Sequence, residues 1–152
     1  MRARRLKGNQ AMLTGQVGKI CFSRLLKDDD LAEIIKKKAE EARIRAGIII
    51  AVGSLKDVVL GYYKEGEYSN TRLDGPLEIA SCTGNVAVDE EGQVIIHAHL
   101  VVSDEKGKAF GGHLMKGSHV GATAELMMIE AVGVKLQKVF DQETKLKLLK
   151  LR

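Results

Sequence analysis

Two long strand-like segments joined by a tight turn are the strongest constraint on the fold. Residues 77–88 and 93–103 are rich in apolar and β-branched side chains, and Asp89-Glu90-Glu91-Gly92 between them is typical of a turn. Gly84, inside the first segment, predicts a bulge or a close approach of a neighbouring backbone. We therefore expect a largely antiparallel sheet.

One segment has the pattern of a helix. Asp30 followed by Glu33 three residues later is a capping-box pattern, and Gly47 predicts the end of the element. The side chains between these positions repeat with helical spacing and give one mostly apolar face. The sequence thus predicts an α+β fold with one main helix at about 30–45.

The patterns of the remaining segments distinguish less clearly between helix and strand. Residues 19–25, 48–52 and 58–63 have strand character, and Asp74-Gly75-Pro76 predicts a turn. Residues 122–134 are ambiguous, because their Ala, Glu, Leu and Met residues favour a helix by propensity.

The net charge of +4 is concentrated at the N-terminus. Residues 1–7 contain four basic side chains and no acid, and the remaining 20 basic residues match the 20 acidic ones. A length of 152 residues favours one domain. We expect a basic flexible arm at 1–11 and a single neutral domain at 12–152.

The remaining composition narrows the class of protein. The longest stretch without a polar side chain, residues 46–53, is far shorter than the roughly 20 residues that cross a bilayer. Cys21 and Cys82 form no Cys-x-x-Cys pair and are expected to be buried free thiols. These features, with no secretory signal pattern, predict a soluble cytoplasmic protein. Six scattered aromatic residues exclude a base-stacking platform for single strands.

Three of the four histidines fall between positions 97 and 113. Strand alternation places His97 and His99 on one face, with Cα atoms about 7 Å apart. If Glu105-Lys106-Gly107 is a three-residue hairpin loop, His99 lies opposite His113 and shares its face. A two-residue turn would instead put His113 on the other face; the position of Gly107 favours the first register.

Three imidazoles on one face are suited to a transition metal with an open coordination position. Zinc is the expected ion, although imidazole also suits iron, nickel and copper. Gly111 and Gly112 would leave the space above that face clear. The alternative is a polar sheet face with exposed or hydrogen-bonded histidines. His119 lies outside the hairpin and is expected at the surface.

Several short pieces together resemble one family, the plants-and-prokaryotes-conserved (PPC) domain, in its prokaryotic form. The pieces that carry the resemblance run in order through most of residues 12–150 and are Gly53-Ser54-Leu55, Gly75-Pro76-Leu77-Glu78-Ile79, Gly84-Asn85, His97-Ala98-His99, Ser103-Asp104 with Gly107, Gly111-Gly112-His113-Leu114 and Ala124-Glu125. The Gly-Gly-His-Leu segment after a His-x-His strand is the most specific of these.

The resemblance implies a compact α+β domain, a homotrimer and a strand at 122–128. Prokaryotic members are often described as candidate DNA-binding proteins. The fold is similar to that of acetolactate decarboxylase, whose three zinc-binding histidines correspond to His97, His99 and His113. The resemblance also implies a partner-contact segment in this chain, which comprises Gly75, Pro76, Leu77, Glu78, Ile79 and Ala80.

The resemblance has one clear limit. An AT-hook needs Arg-Gly-Arg-Pro, and the single proline of this chain is Pro76. Contact with duplex DNA would therefore be directed at phosphates. The residues that would make it are Arg2, Arg4, Arg5 and Lys7.

These features lead to two functional hypotheses. The first is a homotrimeric, metal-containing binding module, associated with DNA or with a regulatory partner, and not an enzyme. The alternative is a small metal-dependent lyase or hydrolase, in which Glu78 or Glu125 serves as an extra ligand or as an acid or base. The sequence offers no clearer catalytic group.

Overall fold

The computed structural model of the protein describes residues 12–150 and consists mainly of one sheet. The arm predicted at 1–11 lies outside the described residues. Among residues 12–150, the predicted fold class is confirmed: one helix and a sheet with a single parallel contact. The elements are β1 (Gln16–Leu25), α1 (Leu31–Glu41), β2 (Gly47–Lys64), β3 (Glu67–Val88), β4 (Val94–Ser103), β5 (Ala109–Leu114), β6 (His119–Val132), β7 (Gln137–Phe140) and β8 (Lys147–Lys150).

The strand order is β1-β6-β2-β5-β4-β3-β7-β8, and β2 also pairs with β3. That extra pairing closes β2, β5, β4 and β3 into a ring, while β6 and β1 extend the sheet on one side. The core lies under α1 and combines side chains of the ring strands with those of β1 and β6. In α1 itself, Leu31, Ile35 and Ala39 are fully buried. Such burial supplies most of the stability of a short helix.

The predicted cap of α1 is confirmed. The Asp30 carboxylate accepts hydrogen bonds from the backbone N–H groups of Glu33, at 3.0 Å, and of Gly117, at 2.6 Å. The Glu33 side chain does not return to the cap, since it pairs with Lys116 at 2.6 Å. One carboxylate thus starts the helix and ties it to the turn before β6.

The helix ends earlier than about residue 45. Its last residue is Glu41, and Arg43 has a positive φ of 56°. The following turn buries Ile44 completely. Gly47 begins β2 instead of ending α1, and a Cβ atom there would lie 2.5 Å from the Ile129 carbonyl oxygen.

The prediction of a turn at Asp74-Gly75-Pro76 is wrong. These residues lie inside β3, opposite a register shift in β2 between Leu55 and Asp57. The chain reverses at Glu65 and Gly66, both with positive φ. Pro76, which has no N–H to donate, is accommodated because it lies next to this irregularity.

The segment 75–80 alternates within β3. Leu77 and Ile79 are buried in the core, whereas Glu78 and Ala80 are exposed. Segment 122–128 belongs to β6, as the resemblance implies, and pairs with β1 on one side and β2 on the other.

One face of β1, β6 and β2 carries apolar side chains that this chain leaves uncovered. Register pairs place Ile20 and Ile48 beside Ile129, and Phe22 beside Met127. Phe22 is 75% exposed and Ile20 is 58% exposed. We call this set the apolar face, and its members are Ile20, Phe22, Ile48, Ile50, Val52, Met127 and Ile129.

The two cysteines are free, as predicted. Cys82 is buried in the core, where burial raises the pKa of its thiol to about 11, and Cys21 is half-buried. Among residues 12–150, the single helix has 11 residues, and no helix is long and apolar enough to cross a bilayer.

Candidate metal centre

The hairpin between β4 and β5 has the predicted register. Gly107 has a φ of +76°, and the Asp104 N–H donates to the Lys108 carbonyl at 3.0 Å. The Asp104 carboxylate also accepts from the Lys106 and Lys108 N–H groups. His99 therefore pairs directly with His113.

This register brings three imidazoles together. The ring centroids of His97, His99 and His113 lie 5.2–5.6 Å apart. One nitrogen from each ring lies within 4.8 Å of those of the other two. His99 is exposed, whereas His97 and His113 are half-buried, so solvent reaches the cluster on the side of His99.

The environment of the cluster fits a metal better than it fits a hydrogen-bonded polar face. His113 Nδ1 is buried and has no hydrogen-bond partner among the described residues. Native proteins rarely leave a buried polar atom unpaired, so such an atom points to a missing partner. An imidazole nitrogen without a proton donor nearby is suited to coordinate a cation.

The surroundings of His97 and His113 favour the neutral form of these two rings. Burial lowers the pKa of His97 to about 4, and the charges of Lys138, His113 and His99 act in the same direction. Burial also lowers the pKa of His113. Neutral imidazole is the form that binds metal ions, so protons compete weakly with a cation at these two positions.

Gly84 holds β3 close to the histidine strand, as the sequence predicts. It pairs with Ala98, and a Cβ atom on it would lie 2.2 Å from the His97 carbonyl oxygen. The two glycines before His113 differ. Gly111 shares the face of His113 by alternation, whereas Gly112 allows the backbone of Gly61 to approach.

The other candidate residues lie elsewhere. Glu78 pairs with Ser103 at the far end of β4, and exposed Glu125 pairs with Val52 in β2. Within residues 12–150, neither carboxylate joins the cluster. His119 also lies outside it and is less exposed than expected, because its Nδ1 lies 2.7 Å from Asp57 Oδ1.

Three residues near the cluster were missed from the sequence. Asn85 pairs with His97, and its Oδ1 is buried and has no hydrogen-bond partner within residues 12–150. The Tyr68 ring lies 5.3 Å from that of His113. Lys138, in β7, is close enough for its charge to affect His97. Alternation in the strands could have pointed to Asn85, but no local pattern marks Tyr68 or Lys138.

The cluster adjoins the apolar face. Asn85 pairs with both Ile48 and His97, and Thr83 pairs with both Ile50 and His99. Paired residues share a face. The same side of the sheet therefore runs from the apolar face of β2 through β3 to the histidines of β4.

Residues 12–132 match the Plants and Prokaryotes Conserved (PCC) domain, which covers most of the chain. The chain belongs to this family. Solved structures agree on the fold: a metal-containing protein from Archaeoglobus fulgidus is 31% identical with a TM-score of 0.84, over 93% of this chain and 100% of that one. A PPC protein from Pyrococcus horikoshii is 28% identical with the same TM-score, over 94% and 99% of the two chains.

This chain is also similar to part of a longer curated protein. The bifunctional protein GlmU of Synechococcus sp. (strain JA-3-3Ab) is 30% identical over 122 residues, or 80% of this chain. That match covers 18% of the longer protein. This chain thus spans about a fifth of the length of the curated relatives it matches.

Proposed function

We propose that this PCC domain is a homotrimeric binding module that holds one divalent transition metal at His97, His99 and His113. The observation that carries the metal is the convergence of three imidazoles, with one nitrogen of each within 4.8 Å of those of the others. Zinc is the expected ion, because three protein ligands and one open position are typical of its non-structural sites. The similar Archaeoglobus fulgidus protein, itself described as metal-containing, supports this proposal.

The metal test is elemental analysis of the purified full chain. We expect about one metal ion per chain in the wild type. In His97→Ala we expect at least a tenfold loss of metal affinity, because the substitution removes one of the three imidazole ligands. His119→Ala is the matched control and should keep the metal, since His119 pairs with Asp57 away from the cluster. Substoichiometric metal in the wild type, or equal content in His97→Ala, would refute the site.

The apolar face supports the homotrimer. Contiguous exposed apolar surface of this kind marks protein–protein contact. A copy of this chain is the occupant that we propose, in keeping with the homotrimer that the family resemblance implies. The continuity of the face with the cluster means that a neighbouring protomer would lie beside the metal.

Nucleic acid is the proposed partner of the basic arm, which lies outside the described residues. Three arms in one trimer would combine weak phosphate contacts. We expect duplex DNA to bind the full chain at low salt and to bind a chain without residues 1–7 at least tenfold more weakly. A fluorescence-anisotropy titration at two salt concentrations measures both affinities. Equal affinity of the two proteins, or no binding at low salt, would refute this role of the arm.

A metal-dependent lyase or hydrolase is the second candidate. The observation that favours it is a cavity of about 240 Å³ lined by His97 and His113, which gives a small molecule access to the cluster. The absence of a carboxylate from the cluster, among residues 12–150, argues against an acid or base at Glu78 or Glu125.

A further inference from the structure

Residues of β7 and β8 line a cavity that His97 and His113 also line. The cavity of about 240 Å³ lies between the β4 strand and residues of β7 and β8. Residues 133–150 lie beyond the part of the chain that matches the PCC domain. Among residues 12–150, the lining of this cavity contains no acidic residue. Its polar side chains are Tyr68, His97, His113, Lys138 and Lys147, and the rest of the lining is apolar.

Lys138 is the unusual member of this lining. It is 6% exposed, and its ammonium makes no ion pair within 4.0 Å and no hydrogen bond among the described residues. The ammonium nitrogen is not among the fully buried unpartnered polar atoms, so it keeps some contact with the solvent of the cavity. Because the rest of the side chain is buried, its ammonium is only partly solvated, and an anionic partner would stabilise it. Burial lowers the pKa of Lys138, which reflects the same missing solvation.

Lys147 provides the contrast within the same cavity. Its Nζ lies 3.3 Å from the Asp89 carboxylate, so its charge is already matched. Among the residues that the structure describes, Lys138 is therefore the basic lining residue of the cavity without a carboxylate within 4.0 Å. It faces a space that also contains two half-buried imidazoles and the phenol of Tyr68.

We propose that this cavity binds a small organic monoanion, a carboxylate with a short apolar tail, with its carboxylate on the Lys138 ammonium. The tail would lie against Leu146, Leu148 and the isoleucines of β4. A carboxylate suits the site because it supplies the missing counter-charge and accepts charge-assisted hydrogen bonds. This inference rests on the proposed metal centre, since the anion would lie beside the ion and gain attraction from it.

Butyrate is the probe, titrated calorimetrically into the full chain with and without bound Co²⁺. The Co²⁺ visible absorption bands, recorded before butyrate is added, report metal binding independently. We expect Lys138→Met to weaken butyrate binding by about tenfold or more, because a charge-assisted hydrogen bond is lost. The Co²⁺ bands should persist in that variant, since the three histidines are unchanged.

Lys147→Met is the matched control and should change the butyrate affinity less than about threefold, because that ammonium is already paired. Lys138→Gln is measured in parallel in case the methionine variant does not fold. Equal affinity in the wild type and both Lys138 variants, or no binding of butyrate to any form, overturns the anion site. Missing Co²⁺ bands in the wild type refute the metal centre instead, and Lys138-dependent butyrate binding to that metal-free protein would still support the anion site.

Discussion

Replacing Phe22 by glutamate is expected to convert the proposed homotrimer into monomers. Phe22 is the most exposed member of the apolar face, at 75%, and lies next to Met127 in the register of β1 and β6. In a trimer the new carboxylate would be buried without a partner in each of three contacts. An unpaired charge in an apolar contact costs several kcal/mol, so we expect the association constant to fall more than about a thousandfold.

Sedimentation velocity of the full chain over a range of concentrations measures this change. Tyr62→Glu is the control, because Tyr62 is 69% exposed and lies outside the apolar face. That variant should stay trimeric. Since both positions are exposed, neither substitution should alter the unfolding of the monomer by more than about 0.5 kcal/mol. A trimeric Phe22→Glu protein, or a monomeric wild type, would show that the apolar face does not join the protomers.

The β4–β5 hairpin and the start of α1 are predicted best, because residues close together in sequence determine their geometry. A glycine at position 107 favours a loop with positive φ, that loop length fixes which residues pair, and the pairing brings His99 to His113. The Asp30 cap has the same character, because it depends on a side chain and an N–H group three residues apart.

Local sequence patterns predict the wrong secondary structure where the pairing of strands determines it. Segment 122–128 has helix-forming residues, but β6 forms because two strands, β1 and β2, flank it and satisfy its backbone groups. Asp74-Gly75-Pro76 has the composition of a turn, but it lies within the long β2–β3 ribbon next to a register shift. In both cases the pairing partners lie outside the few neighbouring residues that a local pattern covers, so the pattern does not report them.

Lys138 shows the same limit at the candidate site. Its strand, β7, has four residues and joins the sheet through one parallel contact, between Val88 and Gln137. Nothing in the sequence around Lys138 indicates that the lysine is buried or that it lies near His97 and His113, which precede it by 41 and 25 residues. The position follows only from the pairing of β7 with β3.

Gly84→Ala is expected to destabilise the protein strongly, although it adds a single methyl group. The added Cβ would lie 2.2 Å from the His97 carbonyl oxygen and 2.7 Å from the Ala98 Cα atom, and both are backbone atoms of β4. No rotation of a side chain relieves such a contact, so the two strands must separate. Overpacking in a well-packed region costs about 1–3 kcal/mol, and broken ladder hydrogen bonds add to it. We expect a loss of about 3 kcal/mol in the free energy of unfolding, measured by urea titration.

The separation of β3 from β4 should also disturb the cluster, since His97 and His99 flank the residue opposite Gly84. Metal affinity is therefore expected to fall together with stability. Gly111→Ala is the matched control in β5, on the other side of β4. Its Cβ would lie 3.2 Å from the exposed Val101 side chain and 3.4 Å from the Leu100 carbonyl oxygen, much farther than the contacts at Gly84. That change should cost less than about 1 kcal/mol. If Gly84→Ala were as stable as Gly111→Ala, the close approach of β3 and β4 would not be what holds the histidine strand in place.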